Sequence, residues 1–151
     1  MKWMAGAAAV ALLIASPAEA RPIVLNCVGQ GNMMFDGGSY NFNVIVKIDP
    51  GAQTWSIWSS SGGWGQNICV DTADGHRMAC RFTNDTFALD DQSEADMVGH
   101  HHSSHVMTAI NRKDGSYQKT YVDTGGVQAG YGTESGVCHS VPDPAGRPNA
   151  F

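Results

Sequence analysis

A tract of histidines is the most concentrated chemical signal in this sequence. Four imidazoles lie within six residues, at His100, His101, His102 and His105, and a run of carboxylates comes just before them. Imidazoles with neighbouring carboxylates can hold zinc, copper or nickel. In an extended chain His101 and His105 share one face, so a compact metal site needs a bend or a further ligand such as Asp96. The simpler interpretation, which we favour, is a solvated loop whose histidines protonate near neutral pH.

Two tryptophans, Trp58 and Trp64, are candidate binding residues. Trp64 belongs to a Ser/Gly-rich segment, residues 59–65, which we expect to form a flexible loop. An exposed tryptophan can stack on a sugar or anchor a partner protein. Trp55 and Trp58 point to opposite faces of one predicted strand. The simpler interpretation places Trp55 in the core and Trp58 over one end of the fold. The partner would be an unidentified protein, glycan or small ligand.

The sequence contains no recognisable catalytic motif. It has no Gly-x-Ser-x-Gly elbow, His-Glu-x-x-His motif, P-loop or dinucleotide fingerprint. A pair of carboxylates suited to glycoside cleavage cannot be selected from the sequence. We therefore predict a non-enzymatic binding protein. A metal-binding protein that uses the histidine tract is the first alternative, and a hydrolase without a recognisable motif is the second.

The first twenty residues have the pattern of a secretory signal peptide. Lys2 supplies the positive start, residues 4–15 are apolar, and Ala18–Ala20 form the small-x-small cleavage signal. The apolar run is too short to span a bilayer stably. We expect cleavage after residue 20, a mature chain that begins at Arg21 without a membrane span, and a periplasmic or secreted location.

Size and charge narrow the class of the mature chain. About 130 residues remain after cleavage, which suits one domain, and we assign it to residues 21–141. Three prolines predict an irregular tail over residues 142–151. The formal net charge of −5 disfavours nucleic acid and anionic membrane surfaces as partners. Abundant Gly and few charged residues are typical of a secreted all-β domain with many turns.

Four cysteines in an exported chain indicate two disulfides. Asp74-Gly75 is a preferred type I′ hairpin turn. If it forms here, Cys69 and Cys80 lie directly opposite each other, within disulfide range. Cys27 then pairs with Cys138 and joins the first strand to the last.

Alternation of apolar and polar residues over 40–49, broken only by Ile45, is the clearest strand signal. Asp49–Ala52 has Pro and Gly where a type II turn needs them, and Lys113–Ser116 predicts a second hairpin. Residues 90–104 lack an apolar period, so we expect a long loop there. The other predicted strands cover residues 22–29, 54–58, 69–73, 76–80, 86–89, 106–112, 117–123 and 136–138.

This pattern predicts a small antiparallel meander β-barrel of about eight strands, with a two-sheet β-sandwich as the alternative. Such a barrel can hold one small apolar ligand. The alternation does not show whether the interior is filled.

Short motifs give a resemblance to a known group of proteins. The Cys27-Val-Gly29 start, the Ile110–Gly115 hairpin and the Gly136-Val-Cys138 end resemble small exported proteins of Gram-negative bacteria that are largely uncharacterised. That resemblance implies an exported β protein and no particular activity. The chain is also distantly similar to periplasmic inhibitors of c-type lysozyme, through Gly38-Ser39-Tyr40 and the early cysteine.

Overall fold

Antiparallel strands form a single curled sheet in the computed structural model. The structure describes residues 21–32, 37–72, 76–97, 100–125 and 130–146. Within these residues the strands are β1 (Ile23–Asn32), β2 (Ser39–Asp49), β3 (Thr54–Ser59), β4 (Gly63–Trp64), β5 (Arg77–Phe82), β6 (Thr86–Met97), β7 (His100–Asn111), β8 (Ser116–Gly125) and β9 (Gly130–Ser140), and a 3-10 turn at Pro144–Gly146 follows them. The all-β class is confirmed, with nine strands. The predicted signal peptide lies outside the described residues.

The sheet is a meander whose first and last strands pair with each other. Its strand order is β4-β3-β2-β1-β9-β8-β7-β6-β5, and every pair is antiparallel. Strands β4 and β5 are therefore the two edges, with no hydrogen-bonded ladder between them in this order. The sheet curls into a half-barrel that is open along this side.

Both predicted disulfides are confirmed. Cys27 and Cys138 face each other in the β1–β9 ladder and form one bridge. The bridge between Cys69 and Cys80 joins the segment after β4 to strand β5. It therefore crosses the open side of the half-barrel, where the sheet has no ladder of its own.

The hairpin on which the Cys69–Cys80 prediction depended is partly wrong. Residues 69–72 are not a strand. Two hydrogen bonds join them to the start of β5. The Thr72 amide donates to the His76 carbonyl, and the Met78 amide donates to the Asp71 carboxylate at 2.9 Å. A side chain thus takes the place of a ladder bond, so the segment does not form a regular strand beside β5. The Asp74-Gly75 turn lies outside the described residues.

The core fills the end of the half-barrel that carries the β2–β3 and β7–β8 turns. Alternate residues of each strand point inward, as the pattern over 40–49 predicts. The buried apolar residues are Leu25, Cys27, Val46, Ile48, Trp55, Phe87, Ile110, Tyr117 and Cys138. Trp55 is 2% exposed, so its predicted place in the core is confirmed.

Two hairpins share one kind of four-residue loop. The β2–β3 loop, residues 50–53, ends on Gln53 with φ 56°, and the β7–β8 loop, residues 112–115, ends on Gly115 with φ 73°. Gly51 does not have positive φ, so the predicted type II turn is wrong. The Asp49 carboxylate instead accepts from the Ala52 amide at 2.9 Å, which stabilises the wider loop.

The long loop predicted over residues 90–104 is also wrong. Strands β6 and β7 continue through this region as a paired extension, from Asp90↔Met107 to Met97↔His100. Backbone hydrogen bonds hold the extension, and cross-strand pairs such as Ser93–Ser104, whose hydroxyls lie 2.8 Å apart, add to it. The extension reaches beyond the core. Its side chains are therefore not buried on one face, and the strands need no regular alternation of apolar and polar residues.

Candidate ligand-binding cavity

The concave face of the sheet carries an open cavity of about 320 Å³ beside the core. Its lining is mainly apolar, with three charged side chains at one side. Several apolar walls are only half-buried, and Ile57 is 43% exposed. The lining residues are Phe42, Val44, Val46, Trp55, Ile57, Ile68, Met78, Leu89, Val106, Thr108 and Tyr117, with Asp91, Lys119 and Glu134. Within the described residues, the interior of the half-barrel is therefore not filled by its own side chains.

Two glycines allow the aromatic floor of the cavity to form. One row of the register runs Tyr117–Gly136–Gly29–Phe42 across four neighbouring strands. The rings of Phe42 and Tyr117 meet over these glycines, with centroids 5.0 Å apart. A Cβ at Gly29 would lie 2.6 Å from the Gly136 Cα and 2.8 Å from Phe42 Cε1. The ring contact therefore requires positions without side chains between the two aromatic residues.

A buried carboxylate, Glu134, is the centre of the polar side. Its side chain belongs to β9 and points into the concave face, where the residue is 8% exposed. Tyr40 donates to Oε1 at 2.7 Å, Tyr117 donates to Oε2 at 2.9 Å, and Tyr121 also donates to Oε1. Hydrogen bonds to a charged acceptor are stronger than those between neutral groups. The three phenols thus replace the water that a carboxylate loses on burial.

Gly31 makes room for this cluster. The next row of the register runs Lys119–Glu134–Gly31–Tyr40. A Cβ at Gly31 would lie 2.6 Å from Tyr40 Cζ and 2.9 Å from Glu134 Cγ. Tyr40 reaches the carboxylate only because this position has no side chain.

The electrostatics keep Glu134 charged and the tyrosines neutral. Burial raises the pKa of Glu134, but the hydrogen bonds from Tyr121 and Tyr40 and the charge of Lys119 outweigh it and hold the pKa below its ordinary value. Burial, with the added effect of Glu134, raises the pKa of Tyr117 and of Tyr121 well above the usual range. Burial also lowers the pKa of Lys119. The negative charge of Glu134 opposes this shift, and a second carboxylate opposes it more weakly.

That second carboxylate is Asp91, on strand β6. The Lys119 ammonium lies 3.8 Å from Glu134 Oε1 and 4.3 Å from the centre of the Tyr121 ring, and its side chain is 25% exposed. The Asp91 side chain is 23% exposed, and its Oδ1 lies 3.3 Å from Nδ1 of His76. Two carboxylates and one ammonium therefore line the same side of the cavity.

The candidate tryptophans lie on the opposite, convex face. Trp64 is half-buried: its indole N–H donates to Asp143 at 2.9 Å, and its ring packs edge-on against Trp58 with centroids 5.2 Å apart. The Lys47 ammonium lies 4.3 Å from the Trp64 ring centre and 2.6 Å from Asp143 Oδ2. Trp64 is thus part of the short strand β4 and contacts Asp143 after β9, so its expected exposed position in a loop is wrong. The exposed turn itself is confined to residues 60–62.

The histidine tract forms pairs with carboxylates on the convex face. His101 Nδ1 lies 3.0 Å from Asp96 Oδ1, and His105 Nε2 lies 2.8 Å from Asp90 Oδ1. His102 alternates to the other face of β7, and the side chain of His100 is outside what the structure describes. Among the described residues no three His, Cys, Asp or Glu side chains come together to hold a metal ion. Zinc, copper or nickel binding by this tract stays a prediction.

The sequence interpretation missed the Glu134 cluster, although a signal for it was present. The inward positions of β9 are glycine, glutamate and cysteine only: Gly130, Gly132, Glu134, Gly136 and Cys138. A single carboxylate at an inward position among glycines indicates space that long side chains from neighbouring strands must fill. The strand over 117–123 was predicted, but its alternating Tyr117, Lys119 and Tyr121 were not assigned to that space.

No protein-family model, curated protein sequence or solved structure matches this chain. In the described part of the chain, no helix has the length and apolar character needed to cross a bilayer. The fold and the cavity together define a small, disulfide-bonded, all-β protein with an open concave interior.

Proposed function

We propose that this chain is an exported, non-enzymatic binding protein that holds one small, largely apolar ligand in the concave cavity. The observation that carries the proposal is the cavity itself, about 320 Å³ with mainly apolar walls and polar groups at one side. Ligand sites commonly have this size and composition, with a few polar groups that orient the ligand. Export is supported by the signal-peptide pattern of residues 1–20 and by the two disulfides.

Titration with a neutral fluorescent dye, N-phenyl-1-naphthylamine, tests the proposal. The dye fluoresces strongly only in apolar surroundings, so binding in the cavity gives a saturable increase in emission. Val44→Phe fills part of the cavity, so we expect it to weaken dye binding by roughly tenfold or more. This corresponds to a loss of about 1.4 kcal/mol or more of binding free energy. Val28→Phe is the matched control, because Val28 lies on the neighbouring strand and is 40% exposed on the convex face.

Thermal unfolding of both variants establishes that they are folded. If Val44→Phe is not folded, Val106→Phe on the other wall of the cavity takes its place. A wild-type chain that gives no saturable signal would contradict the proposal, as would equal dye affinities for the cavity variant and Val28→Phe.

A further inference from the structure

We infer that the ligand of this cavity carries a cationic head group, such as a protonated amine, on an apolar body. The inference rests on the proposed function and narrows it to one chemical class. It follows from the arrangement of charges along the polar side of the cavity.

Glu134 is already engaged by three tyrosine hydroxyls. Both of its oxygens accept hydrogen bonds from tyrosine hydroxyls, and its side chain is 9% exposed. The carboxylate thus acts as a fixed anchor for the tyrosines and for the Lys119 ammonium at 3.8 Å. A ligand gains little from contact with Glu134 itself, although it experiences the negative charge.

Asp91 is the carboxylate that a ligand can reach. It lines the cavity opposite the apolar wall of β2 and β3, and its side chain is 23% exposed. His76 lies beside it, with Nδ1 at 3.3 Å from Oδ1, and occupies one side of the carboxylate. An ammonium in the cavity can pair with Asp91 while its alkyl chain lies against Val44 and Leu89.

An anionic head group fits this site poorly. It could approach Lys119, but there it would lie beside two carboxylates, Glu134 and Asp91, which repel it. The charged groups that line the cavity, two carboxylates and one ammonium, sum to a charge of −1. The cavity therefore favours a cation and disfavours an anion. Repulsion of an anionic ligand contributes to specificity together with attraction of a cationic one.

Three ligands of equal chain length test this inference: octylamine, 1-octanol and octanoate, each below its micellar concentration at pH 7. Calorimetry or displacement of the naphthylamine dye gives the three affinities for the full folded chain. We expect octylamine to bind roughly tenfold more tightly than octanol, because a charged hydrogen bond replaces a neutral one. Octanoate should bind more weakly than octanol.

Asp91→Asn should bring the ratio of the octylamine affinity to the octanol affinity close to one. Asp90→Asn is the matched control, because Asp90 is the adjacent residue, points to the convex face and pairs there with His105. In Asp90→Asn the preference for octylamine should persist.

The outcomes separate the two proposals. Tighter binding of octanoate, equal affinities for all three ligands, or a preference for the amine that survives in Asp91→Asn would overturn the inference while the cavity remains a binding site. Failure of all three ligands and of the dye to bind a folded chain would overturn the proposed function together with it.

Discussion

Replacing Glu134 by Gln keeps the size and shape of the side chain but removes the charge that three tyrosine hydroxyls share. A carboxylate offers two acceptor oxygens, whereas the amide offers one acceptor and one donor. In the native protein Tyr40 and Tyr121 donate to Oε1, and Tyr117 donates to Oε2. If the amide oxygen of the glutamine takes the place of Oε1, its NH₂ group faces the Tyr117 hydroxyl. One buried donor then loses its acceptor.

The magnitude follows from these contacts. Hydrogen bonds to a charged group stabilise by about 1.5–3 kcal/mol and neutral ones by about 0.5–1.5 kcal/mol. Of the three tyrosines only Tyr117 is buried, so solvent reduces the loss at the other two. We therefore expect Glu134→Gln to lower the free energy of unfolding by about 2–3 kcal/mol. For a folded chain of about 130 residues this corresponds to a decrease in Tm of roughly 7–11 °C.

Thermal unfolding followed by circular dichroism, with the disulfides intact, measures this change. Glu94→Gln is the matched control, because Glu94 is exposed on the paired extension of β6. It makes the same chemical change at a solvated position and should move Tm by only about 1 °C. Equal Tm values for the two variants would refute the assignment of Glu134 as the buried anchor.

The pH dependence of the difference provides a second check. The folded-state pKa of Glu134 lies below its ordinary value, so its contribution is present above about pH 4.5 and disappears as the pH falls through the folded-state pKa. The Tm difference between wild type and Glu134→Gln should therefore narrow as the pH falls below about 4.5. The pKa of Tyr117 is raised instead, so its contribution is present below about pH 10 and is lost as the pH rises beyond that. A Tm difference that stays constant from pH 7 to pH 3 would contradict the account.

Three further predictions concern the Cys69–Cys80 disulfide, the glycine at position 29 and cleavage of the signal peptide. Replacing both Cys69 and Cys80 by Ala should lower the unfolding free energy by about 2–3 kcal/mol in denaturant titrations, because that bridge closes a short loop; an unchanged midpoint would contradict this. Gly29→Ala should cost about 1–3 kcal/mol, because its Cβ would clash first with the Ser135 carbonyl oxygen and the Gly136 Cα and then with Phe42. Gly62→Ala, whose nearest contact would be 4.0 Å away, should change stability little. Equal effects would contradict the close packing of β1 against β9 at Gly29. The intact mass of the exported chain should correspond to a start at Arg21, and a mass that retains residues 1–20 would show that cleavage does not occur.

Local patterns in the sequence specified most of the sheet. Alternation over 40–49 predicted β2 and its inward face because that strand has one buried side, and a period of two is then the only pattern that fits. The cysteine pairing was also predicted correctly, although the segment before β5 does not form a regular strand. A disulfide needs only two nearby Cβ atoms in a suitable orientation, and several backbone paths satisfy that.

The paired extension of β6 and β7 could not be predicted by the same reasoning. Its stability comes from backbone hydrogen bonds between two polar strands, and apolar periodicity carries no information about such a ladder. The Glu134 cluster was missed for a different reason. Its members come from β2, β8 and β9, and Tyr40 and Glu134 are 94 residues apart in the chain. Their meeting depends on the register across glycines at 29, 31 and 136, which only the assembled sheet defines.

The location of the bound ligand tests the central claim most directly. Methyl groups on the concave and convex faces give a comparison within one molecule: Val44, Leu89 and Val106 line the cavity, whereas Val28 and Val137 are exposed on the other face. A titration with octylamine can be followed by ¹H–¹³C correlation spectra of the methyl-labelled protein. The account predicts saturable shifts for the three cavity residues and unchanged signals for the two convex ones. Shifts confined to Val28 and Val137, or shifts of the same size on both faces, would contradict it.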